Sequence, residues 1–167
     1  MAGGVSLLPA CSRPRSRWRF FTDAEAETVT AICEQVIPAD QDPGATFAGC
    51  VNFIDKQLMG PYRRFQKAYR SGIAGVQETS QAMFGKRFES LSWDDQTAVL
   101  KELESGRAKG QTWQSQSPAE FFGLIRDHTM QGFYGSPRHG GNRDYVSYRM
   151  LKVDYPQVIG QNRYKKS

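Results

Sequence analysis

The sequence predicts an all-α domain of about five amphipathic helices, followed by an irregular, extended C-terminal arm. Three observations support this fold class. A serine or threonine is followed three residues later by an acidic residue at three helix-start positions, the pattern of a capping box. Apolar residues behind these positions recur every three or four residues, which is the period of a helix with one buried face. The chain shows no internal repeat and no βαβ pattern.

The first three helices are predicted between residues 22 and 84. Thr22 and Glu25 form the first capping box, and Pro38 ends that helix. The second helix is predicted over residues 47–59, before a break at a Gly-Pro pair. The third is predicted over residues 62–84, although two internal glycines weaken the pattern.

The last two helices begin at capping boxes as well. Ser92 and Asp95 form one box, and Ser117 and Glu120 form the other. After residue 134, glycines and prolines interrupt any helical period, and aromatic and β-branched residues follow without one. This change of character predicts the extended arm.

The positive charge lies mostly outside the predicted helical body. The chain carries 22 basic and 17 acidic residues, a net charge of +5. Residues 1–21 hold +4 and residues 160–167 hold +3, which leaves −2 for the residues between them. A slightly acidic body argues against a nucleic-acid-binding core. We divide the chain into a signal remnant and basic linker (1–21), a helical body (22–134), and a partner-binding arm with a basic tail (135–167).

The three cysteines leave two questions open. Cys11 follows a short apolar stretch similar to the end of a secretory signal, so it could accept a lipid or be a chance cysteine in a loose N-terminus. Cys33 and Cys50 could form a disulfide in an oxidising compartment, or be two small buried residues. No Cys-x-x-Cys occurs, which excludes a zinc ribbon, a thioredoxin motif and covalent haem attachment.

The sequence predicts no catalytic, cofactor-binding or metal-binding residues in this chain. His128 lies on the apolar face of the last helix, where a core or interface histidine is expected. His139 lies in a glycine-rich loop that could cradle an anion but lacks the features of a phosphate loop. Aromatic residues cluster late in the chain, as they do at protein interfaces. The arm could wrap its own domain, contact a partner, or do both, and we favour a partner contact. The candidate interface residues are Phe133, Tyr134, Pro137, Arg138, His139, Asn142, Tyr145 and Tyr148.

Two stretches resemble the gluconate 2-dehydrogenase subunit 3 family. One is AICEQVIPAD at 31–40 with the following residues 43–45 and 48–55, and the other is Phe121 and Phe122 with GFYGSPRHGGN at 132–142. The resemblance implies a non-catalytic small subunit that accompanies a large flavoprotein of the glucose–methanol–choline type. That partner binds FAD, oxidises a sugar, sugar acid or glycoside, and passes electrons to a c-type cytochrome carrying haem c.

The resemblance also implies a location and a role. Such a subunit stabilises the flavoprotein and carries it across the membrane by twin-arginine export. We therefore expect a periplasmic complex, associated with the membrane through the N-terminus or the cytochrome. Two alternatives remain open at this point. One is a stand-alone helical enzyme using His139 or His128, and the other is a basic-tailed adaptor for nucleic acid or membrane.

Overall fold

The computed structural model describes residues 17–153. This range contains seven α-helices and five short 3-10 turns, joined by loops. The helices are α1 (Asp23–Val36), α2 (Ala45–Ala48), α3 (Cys50–Leu58), α4 (Gln66–Phe84), α5 (Trp93–Glu104), α6 (Pro118–Tyr134) and α7 (Val146–Met150). No β-strand occurs within the described range. The all-α prediction is confirmed. None of the helices between residues 17 and 153 has the length and apolar character needed to cross a membrane.

The capping boxes start the helices as the sequence predicts. The Thr22 hydroxyl accepts a hydrogen bond from the Glu25 N–H at 3.2 Å, and the Glu25 carboxylate accepts one from the Thr22 N–H at 2.8 Å. Ser92 and Ser117 each accept a bond from the backbone N–H three residues later, at the starts of α5 and α6. These bonds satisfy N–H groups that a first helical turn leaves without partners.

The predicted second helix is divided into two by Gly49. This residue has a φ of 75°, ends α2 and directly precedes α3. A left-handed backbone is readily adopted by glycine, so the chain changes direction at this point without the strain of a Cβ. The helix predicted to start at residue 62 begins later, because Arg63–Phe65 form a tighter 3-10 turn.

The core lies around α6, which contacts α1, α3, α4 and α5. The glycines inside α4 allow large side chains to approach its backbone closely. A Cβ on Gly72 would lie 2.2 Å from the ring of Phe121, and one on Gly75 would lie 2.4 Å from the ring of Trp113. Both contacts are too short for any other residue, so these glycines permit the packing of α4 against α6 and the turn before it.

The extended C-terminal arm is a wrong prediction for residues 135–150. This segment forms two 3-10 turns, Pro137–His139 and Arg143–Tyr145, and the short helix α7. The first turn packs on α3 and the second on α2. The Asn142 side chain donates a hydrogen bond to the Gly135 carbonyl after α6 and accepts one from the Ser147 N–H in α7, which explains how a segment without helical period becomes ordered.

Part of the predicted N-terminal linker is also packed against the body. Phe21 is only 3% exposed and belongs to the hydrophobic core. The buried carboxylate of Asp55 accepts hydrogen bonds from the backbone N–H groups of Arg19, Phe20 and Phe21 at 2.8–3.1 Å. The body therefore begins before residue 22. The predicted signal remnant and the basic tail of 160–167 lie outside the described residues, apart from residues 17–21.

Candidate functional site

The two histidines occupy different environments. His128 is buried, and its Nδ1 is hydrogen-bonded to the hydroxyl of Tyr69 at 3.0 Å. Its ring stacks on Tyr62, with 4.2 Å between centroids and 12° between planes. Burial lowers the pKa of His128 to about 4, so it is neutral at neutral pH. His139 is exposed, and its Nε2 accepts a hydrogen bond from Arg138 Nε at 3.0 Å. Within residues 17–153, no group of three or more His, Cys, Asp or Glu side chains could hold a metal ion.

Cys33 and Cys50 are buried free thiols. The disulfide that the sequence left open is therefore not formed, and the alternative of two small buried residues applies. Cys33 Sγ lies 3.2 Å from the hydroxyl of Thr129. Desolvation raises the pKa of Cys33 to about 12 and also raises the pKa of Cys50, so neither is a reactive thiolate at neutral pH. Cys11 lies outside the described residues.

The glycine-rich segment after α6 is held in a defined conformation. Asn142 is fully buried, donates a hydrogen bond to the Gly135 carbonyl at 2.8 Å, and accepts one from the Ser147 N–H at 3.0 Å. A Cβ on Gly141 would lie 2.1 Å from the carbonyl oxygen of Gly132, so the two stretches touch backbone to backbone. The segment is thus a rigid part of the body.

Three non-glycine residues of this segment have left-handed backbone angles. Their φ values are 44° for Asn142, 53° for Asp144 and 57° for Tyr145. Each such conformation costs about 1–3 kcal/mol and persists only where surrounding contacts impose it. Two of the three, Asn142 and Tyr145, are candidate interface residues, and strain of this kind clusters at functional sites.

The predicted interface residues fall into two groups. Phe133 and Asn142 are fully buried, so neither can contact a partner directly. The other six are exposed or half-buried, and they are Tyr134, Pro137, Arg138, His139, Tyr145 and Tyr148. Six of the eight candidate residues are therefore accessible along the stretch 134–148, where Tyr145 and Tyr148 neighbour each other at 6.0 Å between ring centroids.

A cavity of about 340 Å³ opens beside this stretch, between α3, α6 and the 137–139 turn. Its lining residues are Phe53, Gln57, Tyr62, Gln131, Tyr134, Gly135 and His139. The hydroxyl of Tyr62 donates a hydrogen bond to the side-chain oxygen of Gln131. Sequence reasoning found Tyr134 and His139 but missed the other four side chains, which are Phe53, Gln57, Tyr62 and Gln131. The sequence did contain a signal for Gln131, because it precedes Tyr134 by three residues and therefore lies on the same face of the helix.

Two basic side chains lie next to the cavity. The side chain of Lys56 lies along the backbone of Gly140, and the exposed Arg138 donates a hydrogen bond to His139, which lines the cavity. Residues 135–153 contain four basic side chains and one acidic one, a net charge of +3. In the described part of the chain the ion pairs are Arg70–Glu25, Arg87–Glu89, Arg107–Glu102 and Arg126–Asp127, and none neutralises this surface.

A second concavity has the opposite charge. A wide groove of about 1010 Å³ runs along α1 and is lined in part by Glu27, Glu34 and the exposed Trp93. Helix α1 itself contains four acidic and no basic residues. The two concavities therefore offer partners surfaces of different electrostatic character.

The described residues form a small helical protein whose candidate site is a surface cavity flanked by exposed aromatic and basic side chains. The chain belongs to the gluconate 2-dehydrogenase subunit 3 family, whose model matches residues 23–154. Comparison with curated proteins and with solved structures finds no match. Family membership implies an accessory subunit of a dehydrogenase complex, and hence a catalytic partner.

Proposed function

We propose that this chain is the non-catalytic small subunit of a periplasmic, FAD-dependent dehydrogenase of the glucose–methanol–choline type. The substrate of the complex is a sugar, a sugar acid or a glycoside. The observation that carries the proposal is the family match over residues 23–154. FAD belongs to the large subunit and haem c to a cytochrome that accepts the electrons.

The role of the chain in this complex is to stabilise the flavoprotein and to accompany it through twin-arginine export. An accessory role needs a rigid surface rather than a reactive centre. The candidate site supports this role because it combines half-buried aromatic side chains with basic residues that lack ion-pair partners in the described part of the chain. Aromatic residues and arginine are enriched where protein partners bind.

Co-expression tests the proposal. The flavoprotein subunit is produced with and without this chain, and its soluble amount, flavin absorbance, dehydrogenase activity and periplasmic fraction are measured. We expect all four to fall when the chain is absent and to recover when it is supplied from a separate plasmid. A flavoprotein that is equally soluble, flavin-loaded, active and exported without the chain would overturn the proposal.

A further inference from the structure

The cavity beside α6 has the form of an anchor pocket for a partner side chain. Its volume of about 340 Å³ is at the lower end of the range for ligand pockets. Tyr62 and Tyr134 supply aromatic walls, and Gln57 and Gln131 supply amide groups. Partner residues that dominate binding energy are commonly aromatic side chains inserted into well-packed pockets.

The charge around the pocket restricts what can dock there. Lys56 and Arg138 are exposed beside the pocket, and no ion pair described between residues 17 and 153 neutralises them. A partner with a basic surface would be repelled, whereas an acidic surface would gain both attraction and faster association. The acidic groove along α1 would instead favour a partner with a basic surface.

The pocket is also built on rigid elements. The 137–139 turn is fixed by the backbone contact between Gly141 and Gly132 and by the hydrogen bonds of Asn142. Tyr62 is held by its stacking on His128 and by its bond to Gln131. A site that is ordered before binding loses less entropy when a partner docks.

We propose that this cavity and its basic rim form the docking site for the large flavoprotein subunit. The flavoprotein inserts an apolar side chain into the pocket beside Tyr134 and places acidic residues against Arg138 and Lys56. This inference rests on the proposed function, because it names the surface through which the small subunit holds its partner.

The test uses the co-purified complex of the two subunits and measures affinity and association rate by surface plasmon resonance. Tyr134→Ala removes a pocket wall, and Arg138→Glu reverses one rim charge. Trp93→Ala and Lys101→Glu are matched controls, because they change an exposed aromatic and an exposed basic residue on α5. We expect each pocket variant to weaken binding about 10-fold or more and each control to stay within about twofold.

Salt dependence provides a second measurement. We expect association of the wild-type chain to slow as the salt concentration rises, and to do so less steeply for Arg138→Glu. Circular dichroism establishes that each variant is folded. If Tyr134→Ala does not fold, Lys56→Glu replaces it, because this side chain is exposed and the substitution creates no cavity.

The outcomes separate this inference from the proposed function. If the wild-type chain forms no complex with the flavoprotein, the proposed function fails. If the complex forms but both pocket variants bind like the wild-type chain, the docking site assigned to the cavity is wrong. A loss of binding in Trp93→Ala alone would also overturn it, because the α1 groove would then be the docking site.

Discussion

Replacing Asp55 is expected to release the N-terminal segment from the body. The carboxylate is 3% exposed and accepts three backbone hydrogen bonds. One oxygen, Oδ1, accepts from Phe20 and Phe21, and the other accepts from Arg19. These bonds join two parts of the chain about 35 residues apart. They also determine where the N-terminal segment leaves the helical body.

The structure predicts different losses of unfolding free energy for two substitutions of Asp55. A hydrogen bond to a charged group contributes about 1.5–3 kcal/mol. Asp55→Asn keeps one oxygen, which can serve the two bonds to Phe20 and Phe21, so we expect a loss of about 1–3 kcal/mol. Asp55→Ala removes all three acceptors, including the one for the buried Phe21 N–H, so we expect about 3–5 kcal/mol.

Urea unfolding followed by circular dichroism measures these losses, and amide hydrogen exchange shows where protection is lost. We expect faster exchange at residues 19–21 in both Asp55 variants. Asp127→Asn is the matched control, because this exposed aspartate only pairs with Arg126 and should cost about 0–1 kcal/mol. An Asp55→Ala variant as stable as this control, or less destabilised than Asp55→Asn, would refute the reasoning.

Three further predictions concern packing, pH and thiol reactivity. Gly141→Ala should destabilise the protein by about 2–3 kcal/mol in urea unfolding, because its Cβ would lie 2.1 Å from a backbone oxygen. Gly123→Ala, with open space around its Cβ, should stabilise it by about 0.5–1 kcal/mol, and equal effects would contradict the packing argument. The pKa of His128 is lowered to about 4 from an ordinary 6.5, so the unfolded chain binds the proton first. Stability should therefore fall by about 2.5 kcal/mol as pH decreases from 6.5 to 4, and His128→Gln should reduce that loss; an unchanged pH profile would argue against it. In a variant without the third cysteine, Cys33 and Cys50 should react with a thiol reagent only after unfolding, and rapid labelling of the folded chain would show that they are accessible.

The sequence was most informative where a structure depends on neighbouring residues. The box of Thr22 and Glu25 forms as predicted because its two hydrogen bonds span only three residues. The serine caps at Ser92 and Ser117 form for the same reason. The extended arm was predicted wrongly, because the order in residues 135–150 depends on Asn142 and on packing against α2 and α3.

The candidate site was only half visible in the sequence. Tyr134 and His139 belong to the late aromatic and glycine-rich segment, so composition alone drew attention to them. Tyr62 and Phe53 complete the same cavity from distant parts of the chain. Their placement depends on how α3 packs against α6, which no local pattern encodes.

The sequence by itself determined the helical class, the three capped helix starts and the family, because these follow from short-range hydrogen bonds, hydrophobic period and recognisable motifs. Only the tertiary structure decided the role of Asp55, the free state of the thiols and the cavity with its basic rim. The physical reason is that each of these features joins groups that are distant in the chain. Their energies arise from burial and close packing, which exist only once the helices have assembled.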